Sequence, residues 1–217
     1  MGEIMYLVQR SGRFKGSMAS NIALAIEASK LHEVITGAPL AAWIAAAGLP
    51  AGTFGWTSWV ETLDQLATRN GQMIASAKWG KLEEKAADVA SEWGVDQIAQ
   101  VIVSPDVRGK EAQPGSRVLQ SIVRANQTAD PMEMLQWATK MAEVTSRVSG
   151  GSAGLSQCGF GPDWGAYVFS QLYPNAAALD AGVARSMANA EYLSVFMEGR
   201  NYVDTSTMRR VMMVKIA

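Results

Sequence analysis

The sequence predicts an α+β protein built from two tandem β-α-β-β-α-β units. One observation is an internal repeat. TLDQLATR from Thr62, followed by AKW at 77–79, is echoed by ALDAGVAR from Ala178, followed by AEY at 190–192. Another is what precedes each pair: an apolar run, a Gly/Pro turn and a second run rich in aromatics. Self-similarity of this kind marks a duplicated supersecondary unit. Composition is the third, because 48% of 217 residues are hydrophobic and the formal charge is only −1, which leaves material for a real core.

In the first unit, residues 4–10 are a short β-prone run. Ser17 or Ser20 is placed to cap a helix over 18–36, its side-chain oxygen meeting free backbone N–H groups. Leu24, Ala28, Leu31 and Ile35 recur at helical spacing and are expected to form the inner stripe of that helix. Gly37 is a natural stop, with Pro39 beyond it. The alanines of 40–48 favour helix, but the run is short, follows Pro39 and leads into the turn 49–52. Together with the Thr, Phe, Trp and Val of 53–60 it reads as a hairpin. A long helical segment from 61 to 93 is expected next, broken near Gly71 or Gly80, and 99–103 closes the unit as a strand.

The second unit repeats the order. Residues 118–125 are a strand, and Asp130 caps a helix with Pro131 in the first position, where a missing N–H costs nothing. Met134, Ala138, Met141, Thr145 and Val148 supply its inner stripe, and Gly150–Gly151 ends it. A hairpin spans 153–160 and 166–172 around the turn Gly161, Pro162, Asp163, then a helix covers 175–198 and a strand 208–216. The units are thus 1–104 and 117–217, joined by a polar linker at 105–116 that contains Pro105, Gly109, Pro114 and Gly115.

Each half so read is the split-βαβ, ferredoxin-like motif. Two helices on one face of four antiparallel strands leave the other face bare and apolar, so the two sheets are expected to pack face to face. With these elements in place, the sequence resembles the dimeric α+β barrel superfamily, in particular its tandem-duplicated members. The stretch AAWIAAAGLPAGTFGWTSWVETLDQL, residues 41–66, resembles the hairpin-then-helix segment of antibiotic-biosynthesis monooxygenase-like and NIPSNAP-like members. The small polar turns before AKW and AEY resemble the kinked second helix of that family. The resemblance implies an α+β barrel with a pocket between sheet and helices. Members include cofactor-free oxygenases, haem-binding enzymes and small-ligand-binding regulators, so the fold implies no single activity.

The charge balance gives no basic surface for nucleic acid. The longest apolar stretch, 38–51, is too short for a membrane span and contains prolines and glycines. The N-terminus lacks the apolar run of a signal peptide, and the single cysteine, Cys158, forms no internal disulfide. A cytoplasmic protein is the expectation, without nucleic-acid or membrane partners and assembling as a homo-oligomer.

His32 is the only histidine and the candidate catalytic residue, a general base on the flank shared with Asn21 and Ala25. Its competing reading is a boundary histidine bonded to water or backbone. Matching the two inner stripes pairs it with Ala142. Asn21, Trp43, Trp56 and Trp59 are the candidate ligand-binding residues, since aromatics near the hairpins suit a flat apolar ligand. Filling of a core or interface is the alternative for the tryptophans. Cys158 reads as a small buried hydrophobe, and Glu83–Glu84 as a solvated helix face.

No Cys/His cluster has zinc spacing, so no metal is expected, and no glycine loop or nucleophile elbow is present. No cofactor is expected either. A haem would have to use His32, whereas the resemblance places the proximal histidine of related haem enzymes on other helices. The expected function is binding of a small apolar or aromatic molecule between sheet and helices. One alternative is a cofactor-independent monooxygenase with an aromatic substrate. The other is a structural or assembly protein whose pocket its own side chains fill.

Overall fold

The computed structural model describes residues 5–94, 96–104 and 112–217. The first unit comprises β1 (Tyr6–Phe14), α1 (Met18–Thr36), β2 (Ala41–Ala47), β3 (Thr53–Val60), α2 (Leu63–Ile74), α3 (Ala77–Val89), β4 (Ala90–Trp93) and β5 (Gln97–Val103). The second comprises β6 (Arg117–Ala125), α4 (Pro131–Ser149), β7 (Ser152–Phe160), β8 (Tyr167–Tyr173), α5 (Ala176–Ala188), α6 (Ala190–Glu198) and β9 (Val203–Lys215). The tandem α+β order expected from the sequence is present. Residues 105–111 of the expected linker lie outside the described residues.

All nine strands among the described residues belong to one sheet, ordered β3-β2-β9-β6-β8-β7-β5-β1-β4, and β1 also pairs with β3. That extra pairing closes every strand but β4 into a barrel. Within each unit the strands are antiparallel; between units the edge strands pair, β2 with β9 (Trp43 opposite Lys215) and β5 with β7 (Ala99 opposite Cys158). The two sheets therefore face each other across an interior and are also hydrogen-bonded along both edges, which leaves no long unpaired edge among the described strands. The helices cover the outside.

The duplication can be read in its landmarks. One interval separates the helix caps Ser17 and Asp130, the left-handed caps Gly37 and Gly150, and the later caps Thr62 and Asn175, and Ser76 and Asn189. It also separates the positive-φ turn residues Gly48 and Gly161. AKW and AEY obey this register. The LD…R phrases do not, being three residues out, which is nearly one helical turn and so keeps their residues on similar faces.

Three expectations are corrected. The long helix breaks at Ala75–Ser76, not at Gly71 or Gly80, because Ser76 Oγ accepts from Trp79 N (3.3 Å) and restarts it as α3. Asn189 does the same between α5 and α6, accepting from Tyr192 N at 2.9 Å. The end of the segment is strand β4, drawn to β1 by the Gly12–Trp93 pairing and an edge-on contact of Phe14 with Trp93. The most buried line of α1 is Asn21, Ala25, Ser29 and His32, while Ala28, Leu31 and Ile35 are half-buried. The helix has two partners: small Ala25 packs on the strand residues Ala42, Phe54 and Trp56, and Leu24 with Ala28 faces Met73, Trp79 and Leu82 of α2 and α3.

Gly48 shows how tightly the β2–β9 seam is drawn. Its φ is +79°, and a Cβ there would collide with the Arg210 backbone. Gly48→Ala is expected to lower unfolding free energy by about 2–4 kcal/mol in urea titration. Gly71→Ala, in open space within α2, should raise it by about 0.5–1 kcal/mol.

Candidate functional site

The outer face of the first unit holds a cavity of about 190 Å³ between α1, α2, α3 and the strands beneath. Strand alternation puts Trp56 and Ser58 of β3 on this face, and the β1–β3 register sets Arg10 opposite Trp56 and Val8 opposite Ser58. Helical spacing brings Leu24, Ala28 and His32 of α1 onto one line above them. Leu66 and Met73 of α2 with Trp79 and Leu82 of α3 complete an apolar wall.

Polar groups ring this wall. Arg10 donates from Nε and Nη2 to the two carboxylate oxygens of Asp96, each at 2.6 Å. Trp79 Nε1 donates to Glu83 Oε1 at 2.9 Å. Arg69 Nη1 donates to the Trp59 carbonyl at 2.8 Å and makes no ion pair among the described residues.

His32 is 4% exposed, more buried than a boundary residue. Its Nδ1 lies 3.0 Å from the Ala38 carbonyl oxygen, which can only accept, so Nδ1 carries the proton. The left-handed turn at Gly37 (φ 70°) brings that carbonyl back over the end of α1. No described group bonds Nε2, and no buried side-chain nitrogen is sealed without a partner, so Nε2 opens on the cavity. Burial pulls the imidazole pKa below its ordinary value, and Arg69 and Arg10 act in the same sense. The Ala38 carbonyl and Glu33 oppose this without cancelling it. At neutral pH the site therefore presents an oriented imidazole with a lone pair.

Of the residues picked out in the sequence, His32 and Trp56 share this cavity. Asn21 is buried one turn into α1, where its Nδ2 donates to the Lys15 carbonyl at 3.3 Å and ties down the β1–α1 loop. Trp43 and Trp59 lie on the opposite strand face, toward the barrel interior, Trp43 buried with its Nε1 donating to Thr57 Oγ1 at 2.9 Å and Trp59 at the solvent-exposed mouth. Arg10, Arg69, Asp96 and Trp79 were not singled out. Arg10 had a readable signal, a charge alternating with Val8 and Gly12 on the helix-facing side of a strand. Glu83, expected to be solvated, is exposed but stands at the cavity rim.

The second unit has an equivalent cavity of about 260 Å³ with different chemistry. The interval that links the caps takes His32 to Thr145, not Ala142, because the stripe match was also three residues out of register. Thr145 Oγ1 donates back to the Met141 carbonyl at 2.7 Å. Val123 stands at the place of Arg10, and Phe196 at that of Glu83.

A histidine-ligated haem does not fit these residues. The only histidine lines the smaller helix–sheet cavity, and no other imidazole exists to serve the larger one. A cavity of about 150 Å³ is known to hold benzene, so about 190 Å³ suits one ring or two fused rings. No group of three or more potential metal ligands is found among the described residues. No helix among them is long and apolar enough to cross a membrane.

With cavities between sheet and helices in both units, the fold is that of the dimeric α+β barrels, in tandem form. Solved structures agree. A candidate monooxygenase from Fusobacterium nucleatum superposes with TM-score 0.74 at 8% identity, covering 100% of this chain and 94% of the other. One from Lactobacillus acidophilus gives 0.66 at 12% identity, with 100% and 95% covered. A candidate chlorite dismutase gives 0.58 at 12%, with 99% and 96% covered. At such identities the likeness establishes the fold and not the chemistry. No protein-family model matches the sequence, and neither does the sequence of any curated protein.

A depressed histidine pKa has a fixed thermodynamic sign. Between the folded and unfolded values the unfolded chain binds more protons, so stability falls as pH drops through the ordinary value near 6.5 toward the folded one. NMR titration of the single imidazole should give a midpoint below 6.5. His32→Asn, which keeps a donor for the Ala38 carbonyl, should flatten the pH dependence of urea stability in that window.

Proposed function

We propose that the first-unit cavity binds a small aromatic molecule with a weakly acidic hydroxyl, and that His32 Nε2 takes its proton. The observation that carries this reading is an uncharged, oriented imidazole opening on a largely apolar cavity beside Arg69, a cation that makes no ion pair among the described residues. The ring would lie among Trp56, Leu24 and Trp79, where apolar burial drives entry. The proton passes from the hydroxyl oxygen to Nε2, and Arg69 favours the anion that remains. Arg10 contributes less, because its charge is already matched by Asp96. Ala38, by holding Nδ1–H, fixes the imidazole and stabilises the imidazolium once it forms.

A second reading follows from the same lone pair. A deprotonated aromatic held away from water is the species that a cofactor-independent monooxygenase would present to oxygen, and two of the structural neighbours are candidate monooxygenases. Oxygen uptake with 1,4-dihydroxynaphthalene should then exceed the autoxidation rate and fall to it in His32→Asn.

The binding reading is tested with 4-nitrophenol, whose ionised form absorbs in the visible. The bound phenol is expected to ionise at lower pH than the free one. Arg69→Met should weaken binding by about tenfold, and His32→Asn should abolish the shift in ionisation. Equal ionisation in wild type and both variants would overturn the proposal.

A further inference from the structure

The barrel interior contains a separate cavity of about 450 Å³, on the opposite face of the strands that floor the first-unit site. Barrels of about eight strands are either filled by their own side chains or hold one small ligand. This barrel does both. At one end Ala99, Ile122, Cys158 and Val168 pack together and fill it. Elsewhere the inward positions carry Ala41, Thr57, Ser156 and Ser170, which are too short to meet across the middle. Trp43, Trp59, Leu172 and Met213 wall the resulting space, with the Trp43 indole fixed by its bond to Thr57.

The lining also indicates what would enter. Its charged members are Lys30 and Glu33, both exposed, and Lys215, whose ammonium donates to the Ala112 carbonyl. Deeper polar groups are uncharged. Gln120 Nε2 donates to Ser170 Oγ at 3.4 Å, and Gln9 Oε1 accepts from Gln97 Nε2 at 3.4 Å. Gln120 thus keeps its carbonyl oxygen for a donor. Lys215, the one lining charge that is not exposed, is already engaged, so a charged ligand would lose its hydration with little compensation, whereas a neutral apolar one loses little. The volume falls in the range of about 300–1,000 Å³ that small-molecule sites occupy.

We infer that the barrel interior is a second ligand site, taking an uncharged, mostly apolar molecule of two or three rings that donates a hydrogen bond to Gln120. Its walls come from both units, with Trp43 and Thr57 from the first and Ser156, Ser170 and Met213 from the second, so the site exists only in the closed tandem barrel. It is independent of His32 and of the phenol reading.

The probe is N-phenyl-1-naphthylamine, an uncharged aryl amine with one N–H, titrated by fluorescence into the full chain. Saturable binding is expected. Ser156→Leu, which fills the interior and lies outside both helix–sheet cavities, should weaken it at least about tenfold. Gln120→Leu, close in volume, should weaken it about fivefold through the lost hydrogen bond. Ala28→Phe and Ala142→Phe, which fill the two helix–sheet cavities, should leave it unchanged. Absence of saturable binding, loss of binding in either helix–sheet variant, or full binding in Gln120→Leu would overturn the inference. If Ser156→Leu fails to unfold cooperatively, Gln120→Leu decides alone.

Discussion

The two seams between units, β2 with β9 and β5 with β7, are the constraint on which the rest of the structure rests. A four-stranded unit with helices on one face has two exposed edges and one bare apolar face. Each unit supplies what the other lacks, a pair of edges and a facing sheet. Closure fixes the strand register, and register decides which side chains look outward at helices and which look inward. On β3 that alternation divides consecutive residues between two cavities: Trp56 and Ser58 go to the helix side, Thr57 and Trp59 to the interior.

The frame is symmetric while its chemistry is not. Equivalent helices, caps and turns recur at one interval, but the outer cavity of the first unit holds His32, Arg10, Arg69 and Asp96, and that of the second holds Thr145, Val123 and aromatic side chains with Arg200 and Arg210. Duplication supplies two similar hollows at no extra cost in topology. The second unit carries the larger buried cluster: Trp137 stacks on Tyr202, meets Phe169 edge-on and donates from Nε1 to the Val195 carbonyl at 2.8 Å. The second-unit cavity has the exposed Arg200 and Arg210 among its lining residues but no imidazole or carboxylate, and those are found in the first-unit cavity.

Most of the fold was legible because it rests on local signals. Alternating Thr, Phe and Trp marked β3, Asp130 with Pro131 marked the start of α4, and Gly37 and Gly150 marked where helices end. What escaped were features decided by tertiary partners. The buried line of α1 could not be read from hydrophobicity, since Asn21, Ser29 and His32 are buried by the closeness of the sheet, and Leu31 is only half-buried because it faces other helices. The helix break fell at a capping serine, a quieter signal than the nearby glycines. Strand β4 has no distinctive sequence and exists because β1 offers it a ladder. At the site, His32 and Trp56 were recognisable as unusual residues in suitable elements. Arg69 was not, because its relevance depends on how α2 folds back over β3.

The pairing of β2 with β9 also sets the order of events during synthesis. Residues near position 43 must wait for residues near position 215 before that edge is covered. Until then the emerging first unit carries two open strand edges and an uncovered apolar face, on which Trp43 stands. A ribosome delivers β7 to one edge well before it delivers β9 to the other, so the barrel can close only from the β5 side. Strand β9 is the staple that seals it, and the wait exposes the nascent chain to capture by chaperones or by its own siblings on the same message.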